Sequence, residues 1–288
     1  MNGGGADPPT FALASGVLDP ILADDSRTFC CEIPCGLLSQ HKWLPIGLMG
    51  GGLVIELEIN GDGTAVCSTD KWEISDPYVI GDEKQLDQAL QQKYVQHVLS
   101  GKSLPIPIKS VSNTLHIVSS GNLEFTLALA RGFSRLDSLF ITLFDTDQAG
   151  AKELITFYHP AGSGALTKVG DSVSLTVQIG AQRWPQYPIS SVAEFWHRLM
   201  QTLGMHVGTD TCSITARQYH DTAFIAALDF EKVGAQGAEF SGVNSKEALL
   251  TATFKGLTGG AVDKCFCTIQ YSAVCNVREI GRSECREG

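Results

Sequence analysis

Cysteine and histidine have the widest chemical reach of the residues in this chain, and their spacing decides what they can do. Nine cysteines include the adjacent Cys30–Cys31, then Cys35, and the close pair Cys265 and Cys267. A structural zinc site takes two pairs spaced C-x(2–4)-C or H-x(3–5)-H. Cys31 and Cys35 have that spacing, but no second pair joins them. Cys265 and Cys267 fall on the same face of one strand. The count is odd and no secretory signal is visible, so the cysteines are expected to be buried thiols in a reducing compartment. The seven histidines are dispersed: His159 precedes Pro160, and His197 and His206 lie on and after a helical segment. Neither H-E-x-x-H nor the G-x-S-x-G nucleophile elbow occurs, and Gly162-Ser163-Gly164 lacks the elbow's spacing.

Three further motifs imitate ligand sites. Gly101-Lys102-Ser103 resembles the end of a phosphate loop, but the required earlier glycine is replaced by Gln96, and a helical pattern precedes it. Gly50-Gly51-Gly52 comes before a strand, where a dinucleotide loop comes after one, so a tight turn is expected. Asp145-Thr146-Asp147 has too few oxygen ligands at fixed spacing for a calcium loop, and a solvated loop is expected. Trp184-Pro185-Gln186-Tyr187-Pro188 would serve a lectin as a sugar platform, but it runs straight into a helix start. The expectation is a rigid entry with Trp184 and Tyr187 packed beneath that helix. These readings leave no catalytic, cofactor-binding or metal site, and no enzyme activity is expected.

The composition narrows the partners. Of the 288 residues, 43% are hydrophobic and 18% charged, with a formal net charge of −10. An acidic chain without a basic run or stripe is a poor binder of phosphate backbones, so no direct nucleic-acid contact is expected. No stretch reaches the ~18 apolar residues that span a bilayer. The N-terminus lacks a charged and then apolar signal region, and residues 1–29, rich in Gly, Pro and Asp, read as a flexible arm.

The elements that must carry these residues are mostly strands. Period-two alternation marks Leu53–Ile59, followed by the turn signal Asn60-Gly61-Asp62-Gly63. It recurs at Leu123–Leu129 and, most cleanly, at Val173–Ile179. Leu139–Phe144 reads as a core strand, Ile214–Tyr219 with Ala223–Phe230 as a pair, and Ala248–Phe254 and Cys265–Val277 as two more. Helical spacing appears twice, in Asp82–Leu99 (Leu86, Leu90, Tyr94, His97/Val98) and in Ser191–Leu203. The second has a capping box, Ser191 with Glu194, and a terminating Gly204. Strands in blocks with two isolated helices disfavour a parallel α/β fold and point to an all-β jelly-roll sandwich. The first helix and Leu104-Pro105-Ile106-Pro107 place a linker at residues 82–110.

Residues 31–48 (CEIPCGLLSQHKWLPIGL) resemble a stretch near the end of the first roll in the double-jelly-roll major capsid proteins of large DNA viruses, virophages and polinton-like elements. Leu53–Ile59 is similar to the strand that follows there. Residues 72–87 (WEISDPYVIGDEKQLD) are similar to that roll's last strand and its step into a linker helix. Gln182–Leu203 is similar to a Tyr-Pro segment and helix of capsid-like proteins. The resemblance covers residues 30–285 through structural motifs, none of them catalytic. It implies a partial first roll at 30–81, a helical linker at 82–110 and a second roll at 111–288. It also implies a shell subunit that self-associates, as a homotrimer, and meets other capsid proteins in a virion. Only a short arm stands before residue 30, so a truncated or endogenous copy, or a different fold for residues 1–80, is expected. The alternative is a glycan-binding or glycan-active jelly roll. For hydrolysis it would need carboxyls ~5–9 Å apart, drawn from Asp145, Asp147 and Glu153.

Overall fold

The structure is a computed structural model. It describes residues 12–13, 16–17, 26, 28, 30–31, 33, 35–40, 42–49, 52–57, 73–119, 122–144, 173–205, 214, 219, 223–231, 242–257, 262–277 and 283–287. Helix α1 spans Gln88–Leu99. It is followed by β1 (Leu104–Ile117), β2 (Glu124–Leu129), β3 (Leu136–Phe144), β4 (Ser174–Ile179) and β5 (Gln182–Arg183). Helix α2 (Val192–Thr202), β6 (Ile225–Asp229), β7 (Leu250–Lys255), β8 (Lys264–Val277) and β9 (Ser283–Glu287) complete the series. A two-residue hairpin, Ala12–Leu13 with Gly16–Val17, stands apart.

Strands β1 to β8 form two antiparallel sheets, in the orders β1-β8-β3-β6 and β2-β7-β4-β5. The first strand lies beside the eighth and the second beside the seventh. That connectivity is the double Greek key of a jelly roll, so the expected all-β jelly-roll class is the observed one. Strand β9 pairs with Ala273–Val277 of β8, in the row that β3 vacates beyond Leu136.

Alternation builds the core. In β4, Leu175, Val177 and Ile179 are buried while Ser174, Thr176 and Gln178 are half-buried. In β2, Phe125, Leu127 and Leu129 point inward, and in β7, Leu250, Ala252 and Phe254 do. They meet Leu139, Ile141 and Leu143 of β3 and Cys265, Cys267 and Ile269 of β8. Phe125 stacks on Phe254 at 5.2 Å between centroids. A β-bulge opposite Gln270/Tyr271 leaves Asp137 without a ladder partner on β8, which re-aims its side chain.

Helix α2 forms as its sequence dictates. The Ser191 hydroxyl accepts from the Glu194 backbone N–H at 3.1 Å, and Gly204 has the positive φ, +70°, of a helix-terminating glycine. Its buried stripe, Phe195 and Leu199, packs toward β6, with Phe195 edge-on to Phe224 at 5.3 Å.

Three expectations need correction. Strand β1 begins at Leu104, inside the expected linker 82–110; Pro105 and Pro107 are tolerated because β1 is an edge strand among the described residues. Helix α1 starts six residues late, where Asp87 caps it by accepting from the Ala89 N–H at 3.2 Å. The strands expected at Leu53–Ile59 and Trp72–Ile80 carry no ladder where described, over 52–57 and 73–80. Period two reports a face, and a strand also requires a partner. Of the pair expected at Ile214–Tyr219 and Ala223–Phe230, the second contains β6 and the first lies mostly outside the described residues. The segment around residues 36–49 reaches the roll twice: the backbone at Gly36 lies against the Lys109 carbonyl of β1, and Leu37, Leu44 and Met49 cover a small cluster of Ile106, Cys275 and Val277.

Candidate functional site

The cysteines divide by environment. Cys265, Cys267 and Cys275 are buried on the inner face of β8. Burial pushes the Cys267 thiol up to about 12 and raises that of Cys265 as well, so both stay protonated and inert. Cys30, Cys31 and Cys35 are exposed, against the expectation that all are buried, because their segment lies outside the sandwich. Among the described residues no group of three His, Cys, Asp or Glu is placed to hold a metal. Asp145, Asp147, Glu153, His159, His206 and Gly162-Ser163-Gly164 lie outside the described residues. Gly101 follows α1 with φ +78°, and its N–H closes the helix on the Val98 carbonyl; this is a helix stop. Gly52, with φ +67°, closes a turn on Met49.

The aromatic cluster is split. Trp184 donates its indole N–H to the Asp229 carbonyl at 3.1 Å and tilts against Phe230. Tyr187 is 54% exposed, so it is not packed beneath α2 as expected. Its hydroxyl accepts from Arg198 at 2.9 Å. The guanidinium also spreads over the ring at 6.0 Å and pairs with Glu194 at 3.6 Å. A helix-borne cation holds the ring outward because α2 offers Arg198 at the spot where an apolar side chain would be needed to bury it.

Among the described residues, Asp137 is the buried charged group. It is 2% exposed, and the Ser272 hydroxyl donates to one of its oxygens at 2.7 Å. Desolvation raises its pKa above the ordinary carboxylate value, the Ser272 hydrogen bond and Lys109 oppose that, and Glu231 and Asp229 add to it. Lys109 is itself paired with Glu231 at 3.0 Å. Around the bulge, the Phe230 N–H donates to the Asp137 carbonyl. A Cβ on Gly242 would stand 2.7 Å from the Asp137 carboxylate. The arrangement locks the end of β6 to β3.

The two outer faces differ most in function-relevant chemistry. On the sheet of β2, β7, β4 and β5, the outward side chains are small and polar: Thr126 bonds Thr253 at 2.9 Å and Lys255 pairs with Glu124 at 3.0 Å. On the other sheet, the ladder register puts Val111, Leu115 and Ile117 of β1 on one face with Phe266 of β8, Phe140 and Phe144 of β3 and Ile225 of β6. Val111, Leu115 and Ile117 are 53%, 50% and 74% exposed, and Phe266 stands edge-on to Phe144 at 5.1 Å. The opposite side of β1 carries Ser110, Ser112, Thr114 and His116, and Ser112 accepts from Arg131. From Ser110 onward β1 therefore turns polar residues inward and apolar residues out, whereas its first half turns Ile106 and Ile108 inward. Its alternation, Val111, Leu115 and Ile117 against Ser110, Ser112 and Thr114, is readable in the sequence but lay beyond the expected linker and went unassigned. Further apolar exposure comes from Val54, Leu57, Tyr78 and Ile80 in the extended segments and from Leu90 and Tyr94 on α1. No helix among the described residues is long and apolar enough to cross a membrane.

No protein-family model matches the chain, and no curated protein matches it. Among solved structures the chain is similar to PBCV-1 VP54, as fitted into a reconstruction of the virophage Sputnik. The identity is 11% and the TM-score 0.44, over 70% of this chain and 55% of that one. It is similar to a chain of the quasi-atomic model of the PBCV-1 virus capsid at 10% identity and TM-score 0.41, over 69% and 54%. It is similar to a chain of the Sputnik virophage at 12% identity and TM-score 0.37, over 65% and 39%. The chain thus spans about half the length of the first two. The jelly-roll assignment stands on the strand order itself, and the proteins this chain is similar to are those of viral capsids.

Proposed function

We propose that the chain is a structural, non-enzymatic shell subunit of the capsid type, acting by packing its β-sandwich against further copies and other capsid proteins. The observation that carries this reading is the contrast between the two outer faces. One is a polar threonine and ion-pair surface suited to water. The other exposes Val111, Leu115, Ile117 and Phe266 among threonines and amides on a rigid sheet, and exposed apolar side chains gathered on one face mark protein contacts. The jelly-roll connectivity and the resemblance of residues 31–48 supply the kind of assembly: three copies in a capsomer, within a virion shell where the source is viral. Residues 30–81 act as the end of a first roll and the segment through α1 as its link to the second. The buried Asp137 and the buried thiols are structural in this reading.

Light scattering of the purified chain over a concentration series tests it. A discrete oligomer with the mass of three chains is the expected result. A monodisperse monomer at every concentration overturns the proposal and leaves a binding domain in its place.

A further inference from the structure

Among the described residues, β1 pairs along one side only, with β8. An open edge strand offers its free N–H and C=O groups to another strand, and natural proteins guard such edges with proline and lysine. Here Pro105, Pro107 and Lys109 guard the first half of β1. Residues 111–117 (VSNTLHI) contain neither residue type.

We infer that residues 111–117 form a second-copy docking edge, at which β1 pairs antiparallel with β1 of another copy across a two-fold axis centred on Asn113. The inference rests on the self-assembly reading above and names the surface it uses.

Three observations select this occupant and register. First, the pattern is self-complementary. With Asn113 opposite its own copy, Val111 faces Leu115 of the second copy and Leu115 faces Val111, so apolar meets apolar on both sides of the axis. The Asn113 side chains, each both donor and acceptor, meet at the centre. Second, the pairing is continuous with the apolar face. It joins two four-stranded sheets into one and brings Val111 and Leu115 of both copies together with Phe266 behind them, while Ile117 of each copy lies opposite Lys109 of the other. Third, charge permits it. The chain carries a net −10, yet Val111–Ile117, Lys264–Gln270 and Ser138–Phe144 contain no Asp or Glu. Like-charge repulsion between copies is therefore weakest at this face. The contact is isologous, so it joins one oligomer to the next instead of closing a three-fold ring.

Cysteine cross-linking of the full chain tests the register. Directly opposite residues of an antiparallel pair lie ~4.5–5.5 Å apart at Cα, within the ~4.4–6.8 Å that a disulfide spans. Oxidation of the Asn113→Cys chain with diamide is expected to give covalent dimers in clear excess over Asn113→Ser, which corrects for the native cysteines. Adding Leu115→Lys is expected to cut that yield at least about ten-fold, the effect of a modest loss of interface energy. Leu115 is half exposed, so the variant folds; sedimentation of Asn113→Ser with and without Leu115→Lys gives a cross-link-free second measure. Cross-linking at Asn113→Cys no greater than at Thr126→Cys, on the polar face, overturns the inference. If the unmodified chain still self-associates in that case, the shell reading survives and only the surface is wrong. If the unmodified chain is monomeric throughout, both fall.

Discussion

Phe254 and Phe266 are chemically identical side chains, one on the inner face of one sheet and the other on the outer face of the second, and replacing each by alanine measures how the sandwich divides inside from outside. Phe254 is fully buried in the core, stacked on Phe125 at 5.2 Å and level with Leu175. Its removal takes away most of the contact area of a ring, on the order of 150–250 Å², and leaves a cavity walled by rigid strands. The expected loss is ~3–5 kcal/mol, a large part of the ~5–15 kcal/mol that holds a domain together. Phe266 is 38% exposed and touches Phe144 edge-on. Its removal opens no cavity because water fills the space, and the area it gives up is worth ~1–2 kcal/mol. Urea unfolding followed by circular dichroism, with the midpoint and slope fitted together, reads both values. Equal losses for the two variants, or a loss below ~1 kcal/mol for Phe254→Ala, would refute the placement of the core between these sheets.

The buried carboxyl, the thiols and the cap of α2 give three further expectations. The folded state raises the Asp137 pKa above its ordinary value, so it binds that proton more tightly than the unfolded chain does. Stability from this group therefore grows as pH falls from neutral through the raised pKa, and it is complete below the ordinary range near ~3.9. Asp137→Asn, which keeps the shape and removes the charge, is expected to be more stable than the parent at neutral pH and to flatten that trend; a urea midpoint below the parent's at pH 7 contradicts this. Under native conditions iodoacetamide should label Cys30, Cys31 and Cys35, which are exposed, and spare Cys265 and Cys267, which are buried with raised pKa values. Mass mapping of labelled peptides checks it, and early modification of β8 would mean that the sandwich opens. Ser191→Ala removes the 3.1 Å cap of α2 and should cost ~1 kcal/mol, measured by thermal unfolding; an unchanged Tm would show that packing of Phe195 alone sets the helix start.

The sandwich was legible wherever one face of a strand meets the core and the other meets water, as in β2, β4 and β7. The capped helix was legible for a local reason: Ser191, Glu194 and Gly204 act within their own turns. Strand β1 was hidden by its prolines and by its inverted pattern, which follow from its edge position and its apolar outer surface, both properties of the assembled sheet. Leu53–Leu57 shows the converse. Its alternation is readable too, though Val54 interrupts it, but no neighbouring strand is supplied among the described residues. The fate of Tyr187 depended on Arg198, eleven positions away and one helix turn beyond Glu194, a contact set by the third dimension. The contrast between the outer faces needed the ladder register, since only pairing shows that Leu115, Phe266 and Phe144 share a surface.

Strand β8 lies between β1 and β3, pairing with β1 along its length and with β3 over Lys264–Tyr271. During synthesis β3 can pair only with β6, and β1 has no partner among the described strands, until residues 264–277 have left the ribosome. Strand β1 must wait while more than half of the chain is made. Pairings this distant in sequence are slow to form, and an unpaired apolar strand is open to the wrong partner in the interval. The same residues 111–117 that make a docking edge in the finished protein are thus a hazard in the unfinished one. Expression temperature, chaperone supply and translation rate should govern how much of this chain reaches its folded form.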